Sequence, residues 1–152
     1  MMATGSRFIH SIYCDDVRHE MGGKTTLVGI YSSELNVLSA QNNDPVALAK
    51  LCVAVTAQTP KEKPFLKLKL KLLRDDEVIQ QIEIPPEALA SAVTHTNETA
   101  EGKFHTFSAM FVAQPFLIES SFILRVQAET EGDELTASGI RVILHPAAPV
   151  QK

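Results

Sequence analysis

Apolar and polar residues alternate with a period of two along most of this chain, which is the pattern of β-strands with one face buried. The alternation predicts strands over residues 8–14, 25–32, 51–58, 65–74, 78–84, 104–112, 121–130 and 135–144, with 34–38 as a short ninth. Turn formers punctuate them at Gly22-Gly23, Thr59-Pro60, Pro85-Pro86, Pro115 and Glu131-Gly132-Asp133. Many short strands with frequent turns predict an all-β fold. The expectation is a single antiparallel β-sandwich, immunoglobulin-like or C2-like, of eight to nine strands spanning residues 1–145, with 146–152 as a C-terminal tail. Residues 44–50 and 86–90 each place proline at a first helical position, predicting short helices within connections.

Two hairpins fix their own register. In FLKLKLKLLRDDEVIQQIEI, Leu66, Leu68, Leu70 and Leu72 share one face and Lys67, Lys69 and Lys71 the other. A three-residue loop at Asp75-Asp76-Glu77 would set Leu70 opposite Ile82, Leu68 opposite Ile84 and Lys69 opposite Glu83, whereas a two-residue turn would bring leucines beside Gln81 and Glu83. Glu77 is a poor residue for the left-handed end of such a loop. In FILRVQAETEGDELTASGIRVIL, a turn at Glu131-Gly132 pairs Ala128 with Leu135, Val126 with Ala137 and Leu124 with Gly139. Past Gly139 the apolar parity changes to Ile140, Val142 and Leu144, and a glycine bulge would restore the inward face.

The chain has 152 residues, 45% hydrophobic and 21% charged, with a net charge of −4. That length suits one domain with a real core. The lysines are interleaved with carboxylates, which argues against nucleic acid, where phosphate contacts supply most of the affinity. No apolar run approaches the roughly 20 residues that cross a bilayer, and MMATGSRFIH lacks the basic and apolar regions of a secretion signal. No membrane partner is expected. Cys14 and Cys52 are too few for a disulfide framework, and both lie in apolar strands, as buried thiols of a reducing compartment do. The expected location is cytoplasmic, or virion-associated if the chain is phage-derived, with no cofactor.

CDDVRHEMGGK, residues 14–24, concentrates the reactive residue types: Cys14, Asp15, Asp16, Arg18, His19 and Glu20 before Gly22-Gly23. Zinc would have to draw on His10, Cys14, His19, Cys52, His95 and His105, none of which has zinc-finger spacing. Calcium favours clustered loop carboxylates. In an up-and-down count Asp15, Asp16, Glu131, Asp133 and Glu134 fall at one end of the sandwich. A small hydrolase would use Cys14 or Asp16 with His19, or Asp15 with Glu20 as an acid–base pair. The simpler reading is a polar bend whose carboxylates pair with Arg18 and Lys24 and whose glycines turn the chain into TTLVGIYS. Phe104, Phe107, Phe111, Phe116 and Phe122 are expected to fill the core.

The string Tyr13-Cys14-Asp15-Asp16-Val17-Arg18-His19-Glu20, then Gly23-Lys24 and Leu27-Val28-Gly29-Ile30-Tyr31, resembles the opening of a family of uncharacterised bacterial and phage-associated proteins of similar length. The likeness extends more loosely through Pro64-Phe65, the turn at residues 74–77 and the C-terminal hairpin. It implies a small β-sandwich and carries over no catalytic residues. Sequence and resemblance together predict a non-enzymatic protein-interaction or structural module of a multi-chain assembly, acting through a sheet edge or its long loops, with a protein partner or homo-oligomer. The alternatives are a calcium-dependent binding domain and a small hydrolase.

Overall fold

The computed structural model describes residues 6–92, 97–99 and 102–149. The strands are β1 (Phe8–His19), β2 (Thr25–Tyr31), β3 (Glu34–Leu38), β4 (Val46–Leu48), β5 (Leu51–Pro60), β6 (Leu68–Arg74), β7 (Glu77–Glu83), β8 (Asn97–Thr99), β9 (Gly102–Ala113), β10 (Phe116–Ile118), β11 (Phe122–Thr130), β12 (Glu134–Thr136) and β13 (Ile140–His145). One short helix, α1 (Pro86–Ala92), follows β7. One sheet has the order β2-β1-β5-β9-β8, and the other β3-β13-β11-β6-β7 with β12 also on β11. Strands β4 and β10 form a separate two-stranded ribbon. The fold is an all-β sandwich, as the alternation predicts.

Each sheet contributes its inward face to one core. From the first come Ile9, Tyr13, Val53, Val55 and Phe111, and from the second Leu68, Leu70, Leu72, Leu124 and Val126. Burying each such side chain contributes about 1.5–3 kcal/mol relative to exposure. Phe104, Phe116 and Phe122 are also buried, and Phe107 packs against the cluster edge-on to Phe65. The Tyr13 hydroxyl crosses between the sheets, donating to the carbonyl of Leu124 at 3.2 Å or of Ser138 at 3.3 Å.

The first hairpin register appears as expected, and the second as far as Ala137. Lys69 faces Glu83, Leu70 faces Ile82, and the Ile84 amide donates to the Leu68 carbonyl. The turn itself is only Asp75-Asp76, with Asp75 at a φ of 52°, because Arg74 pairs with Glu77. A register shift at Leu72/Leu73 reconciles this tight turn with the apolar pairing beyond it. In the second hairpin Ala128 faces Leu135, whereas Leu124 pairs with Ile140 instead of Gly139. The one-residue slip at Gly139 turns Ile140 and Val142 inward. A Cβ at Gly139 would lie 2.7 Å from the Leu124 carbonyl oxygen, which is why the bulge falls on a glycine.

Three expectations need correction. Thirteen strands occur among the described residues, more than eight or nine, because the long connections carry β4, β8 and β10 and residues 135–144 split into β12 and β13. The sandwich is not wholly antiparallel, since β3 runs parallel to β13. Residues 44–50 hold strand β4 and not a helix: Val46, Ala47 and Leu48 pair with Ile118, Leu117 and Phe116, and this ladder overrides local helix propensity. The second predicted helix is present as α1, whose first turn begins with the amides of Ala88 and Leu89 donating to the Pro85 carbonyl.

One end of the sandwich is gathered by a buried arginine just before β1. Arg7 donates to Thr59 Oγ1 at 3.0 Å, Thr130 Oγ1 at 3.2 Å and the Pro64 carbonyl at 2.9 Å. It pairs with Glu131 and, at 3.4 Å, with Asp133, while its guanidinium lies 4.7 Å from the Phe65 ring centroid. Removing the guanidinium takes the cation away from partly buried Glu131 and Asp133 and a donor away from Thr59, Thr130 and the Pro64 carbonyl. Arg7→Met should therefore cost about 3 kcal/mol in urea denaturation, and a loss below about 0.5 kcal/mol would contradict this network.

Candidate functional site: the β1–β2 arm

The ladder between β1 and β5 runs from Phe8 opposite Gln58 to Cys14 opposite Cys52. Strand β1 continues for five further residues, 15–19, of which 16–19 pair, among the described residues, only with β2. The polar string is thus mostly strand, and the expected bend is confined to residues 20–24. There the Glu20 amide donates to the Lys24 carbonyl at 2.8 Å, and Gly22 and Gly23 take φ values of 79° and 74°. Charged residues extend the strand because a two-stranded ribbon leaves their side chains in water.

A lock sits at the root of this arm. Gly29 has a φ of 69°, and a Cβ there would overlap the Asp15 carboxylate. Asp15 in turn accepts a hydrogen bond from the Tyr31 hydroxyl. Burial, then the Asp15 carboxylate, push the Tyr31 pKa up to about 12. On the other face of β1, Asp16 accepts from Lys50 Nζ at 2.6 Å. Lys50 and the Val17 amide hold the Asp16 carboxyl below its usual range. The hydrogen-bond partners of the two aspartates are therefore Tyr31 and Lys50, and not Arg18 or Lys24; Arg18, on the Asp16 face of the strand, acts on Asp16 through its charge alone.

Beyond the root, Val17, His19, Thr25 and Leu27 come against Ala54, Ser108 and Met110 of β5 and β9, enclosing an open groove of about 480 Å³. Val17 stands close enough to Cys52 for its backbone amide to lower the thiol's pKa, against the larger effect of burial. The arm therefore covers the sheet at the end of the β1–β5 ladder, and both cysteines are fully buried.

The calcium set does not converge. Arg7, before β1, holds Glu131 and Asp133, whereas Asp15 and Asp16 lie at the far end of that strand. Glu131 further accepts from the Leu66 amide, and Asp133 from Lys63 at 3.2 Å. Glu134 opens β12 in an exposed position. The up-and-down count fails because connections between the sheets do not reverse direction at every strand, as the parallel β3–β13 pair shows. Among the described residues no group of three or more His, Cys, Asp or Glu is arranged to hold a metal ion. His95, of the zinc set, lies outside those residues.

The hydrolase set is likewise separated. Cys14 and His19 have opposite parity on β1 and stand five residues, about 16 Å, apart. Burial, then the neighbouring Cys52 and Asp15, raise the Cys14 pKa, the reverse of an activated nucleophile. Asp15 lies on β1 and Glu20 in the turn beyond it, and Arg18, His19 and Glu20 are exposed.

Sequence reasoning missed the free edge of the arm. Strand β2 ends its sheet, has the uncharged sequence TTLVGIY, and exposes Val28 and Ile30 at 36% and 57%. Met21, at the arm's tip, is 94% exposed. Glycine inside an apolar strand was the available signal for the close approach at Asp15. No helix among the described residues is long and apolar enough to cross a membrane.

No protein-family model matches the chain. A search of curated proteins also found no match. Among solved structures, Drosophila OTK extracellular domains 3-5 show a likeness at 13% identity and a TM-score of 0.39, over 74% of this chain. The match spans 33% of that chain's length, and a likeness at this level carries no argument about function.

The lock sets a pH dependence. Below about pH 10 Tyr31 is neutral in both folded and unfolded chains and its contribution is fully present; as pH rises from 10 to 12 the unfolded chain ionises first and stability falls. In Asp15→Asn the Tyr31 ring-carbon NMR titration should move part of the way back toward 10. A wild-type midpoint near 10 would contradict the lock.

Proposed function

We propose that this chain is a non-enzymatic interaction module of a multi-chain assembly and that its docking element is the free edge of β2, paired with β2 of a second copy. The observation that carries the reading is an uncharged, seven-residue edge strand with exposed Val28 and Ile30. An edge strand presents unpaired N–H and C=O groups, and soluble proteins commonly blunt such edges with charge. The outer strands of the second sheet follow that rule, with Glu77 and Glu83 in β7 and Glu34 in β3. Antiparallel pairing about a two-fold axis between Thr26 and Leu27, which sets Thr25 opposite Val28, would place no like charges opposite each other. Gly29 interrupts the regular strand conformation, so the backbone pairing would centre on residues 25–28.

The resemblance to phage-associated β-sandwich proteins supports a role in an assembly. The two free, buried thiols support a reducing compartment such as the cytoplasm. Light scattering across a concentration series tests the edge. The wild type should shift toward a dimer as concentration rises, and Val28→Lys with Ile30→Lys should remain a monomer with an unchanged far-ultraviolet spectrum. A wild type that stays monomeric throughout, or a dimer that survives both lysines, would overturn the reading.

A further inference from the structure

The two thiols stand apart from the outer edge of β2, although Cys14 is the register partner of Ile30 on its inner side. Cys14 and Cys52 are direct partners across β1 and β5, the last rung of that ladder. Opposed residues of an antiparallel pair share one face, and their Cα atoms lie about 4.5–5.5 Å apart. A disulfide needs about 4.4–6.8 Å, so the backbone already has the spacing for one. Both cysteines are free and fully buried. Part of their cover is the arm, whose Val17 and Asp16 backbone amides lie close enough to the Cys52 and Cys14 sulfurs, respectively, to act on their titration.

We propose that Cys14 and Cys52 form a site of reversible oxidation, closing to a cross-strand disulfide when the arm opens and admits a hydroperoxide such as hydrogen peroxide. One thiol loses its proton to water, and its sulfur attacks a peroxide oxygen. The O–O bond breaks, an S–O bond forms, and the departing hydroxide is protonated to water. The second sulfur then attacks the sulfenic sulfur, forming S–S and breaking S–O, and the released hydroxide takes the second thiol's proton. Two electrons pass from the sulfurs to the peroxide, and the products are one disulfide and two waters.

Access is gated by the arm, which is held by two strands and not by a full sheet, so it belongs to the part of the fold that opens locally. Burial raises both thiols above the usual range, Cys14 further through Cys52 and Asp15. Few thiolates are then present at neutral pH, which makes the site slow and suits it to sustained rather than brief oxidation. Once formed, the bond would fix β1 to β5 at the root of the arm and remove the sulfur's proton-bearing form beneath Val17.

The test treats the folded, full-length chain with hydrogen peroxide, then unfolds it with an alkylating reagent and weighs the intact protein. The expected product is a monomer lighter by two hydrogens and refractory to alkylation, with the Cys14 and Cys52 peptides linked. Dithiothreitol should restore both thiols, and closure should speed up as the buffer moves from about pH 7 to about pH 9. Cys14→Ala and Cys52→Ala should each leave the remaining sulfur as an oxygen adduct or an unreacted thiol within the monomer. Two alkylatable thiols after treatment, separate sulfinic acids on both, or a disulfide between chains would each overturn the proposal.

Discussion

Much of this structure follows from where the β1–β5 ladder stops. From Phe8 to Ile12 the strand pairs with β5 alone, at Tyr13 and Cys14 it has β2 on one side and β5 on the other, and past that rung it has β2 alone. A strand that has lost one neighbour is free to twist more strongly, since two-stranded ribbons carry the largest twist. Gly29 supplies a positive φ at the same level, and Asp15 fills the space that a side chain there would need. The result is an arm that encloses a groove against Ala54, Ser108 and Met110 while its outer edge has no partner strand among the described residues.

The two ends of β1 are consequently managed by different chemistry. At its start a buried guanidinium gathers hydroxyls, carbonyls and two carboxylates from the 59–64 and 130–133 segments, satisfying each acceptor as it is removed from water. At its far end the carboxylates are more exposed, and each has a single side-chain donor: Tyr31 for Asp15 and Lys50 for Asp16. Lys50 neutralises Asp16, and Tyr31 occupies an oxygen of Asp15. This pairing explains how so many reactive residue types stand together without forming a catalytic group.

Strand periodicity made the core legible because each inward residue is dictated locally, and Gly139 could be read as a bulge because the parity changes beside it. The paired leucines of β6 fixed their register even though Asp75-Asp76 turned out to be a tighter turn, since the bulge at Leu72/Leu73 absorbs the difference. What alternation could not reveal is which strands lie side by side. The parallel β3–β13 pair and the β4–β10 ribbon are long-range pairings, and without them the ends to which loops belong were miscounted, which is how Asp15 and Glu131 seemed to be neighbours. Lys50 and Tyr31 were missed for the same reason: they reach the aspartates through space, from β2 and from the residue before β5.

The central claim is that residues 15–28 form an arm only partly bound to the sandwich, and amide hydrogen exchange followed residue by residue in dilute, monomeric protein tests it most directly. The amides of residues 16–19 and 25–28 should exchange as one unit, well ahead of those of β5 and of β1 between Phe8 and Tyr13. Protection of the arm equal to that of β5 would show that it is an integral part of the sheet and would contradict the account.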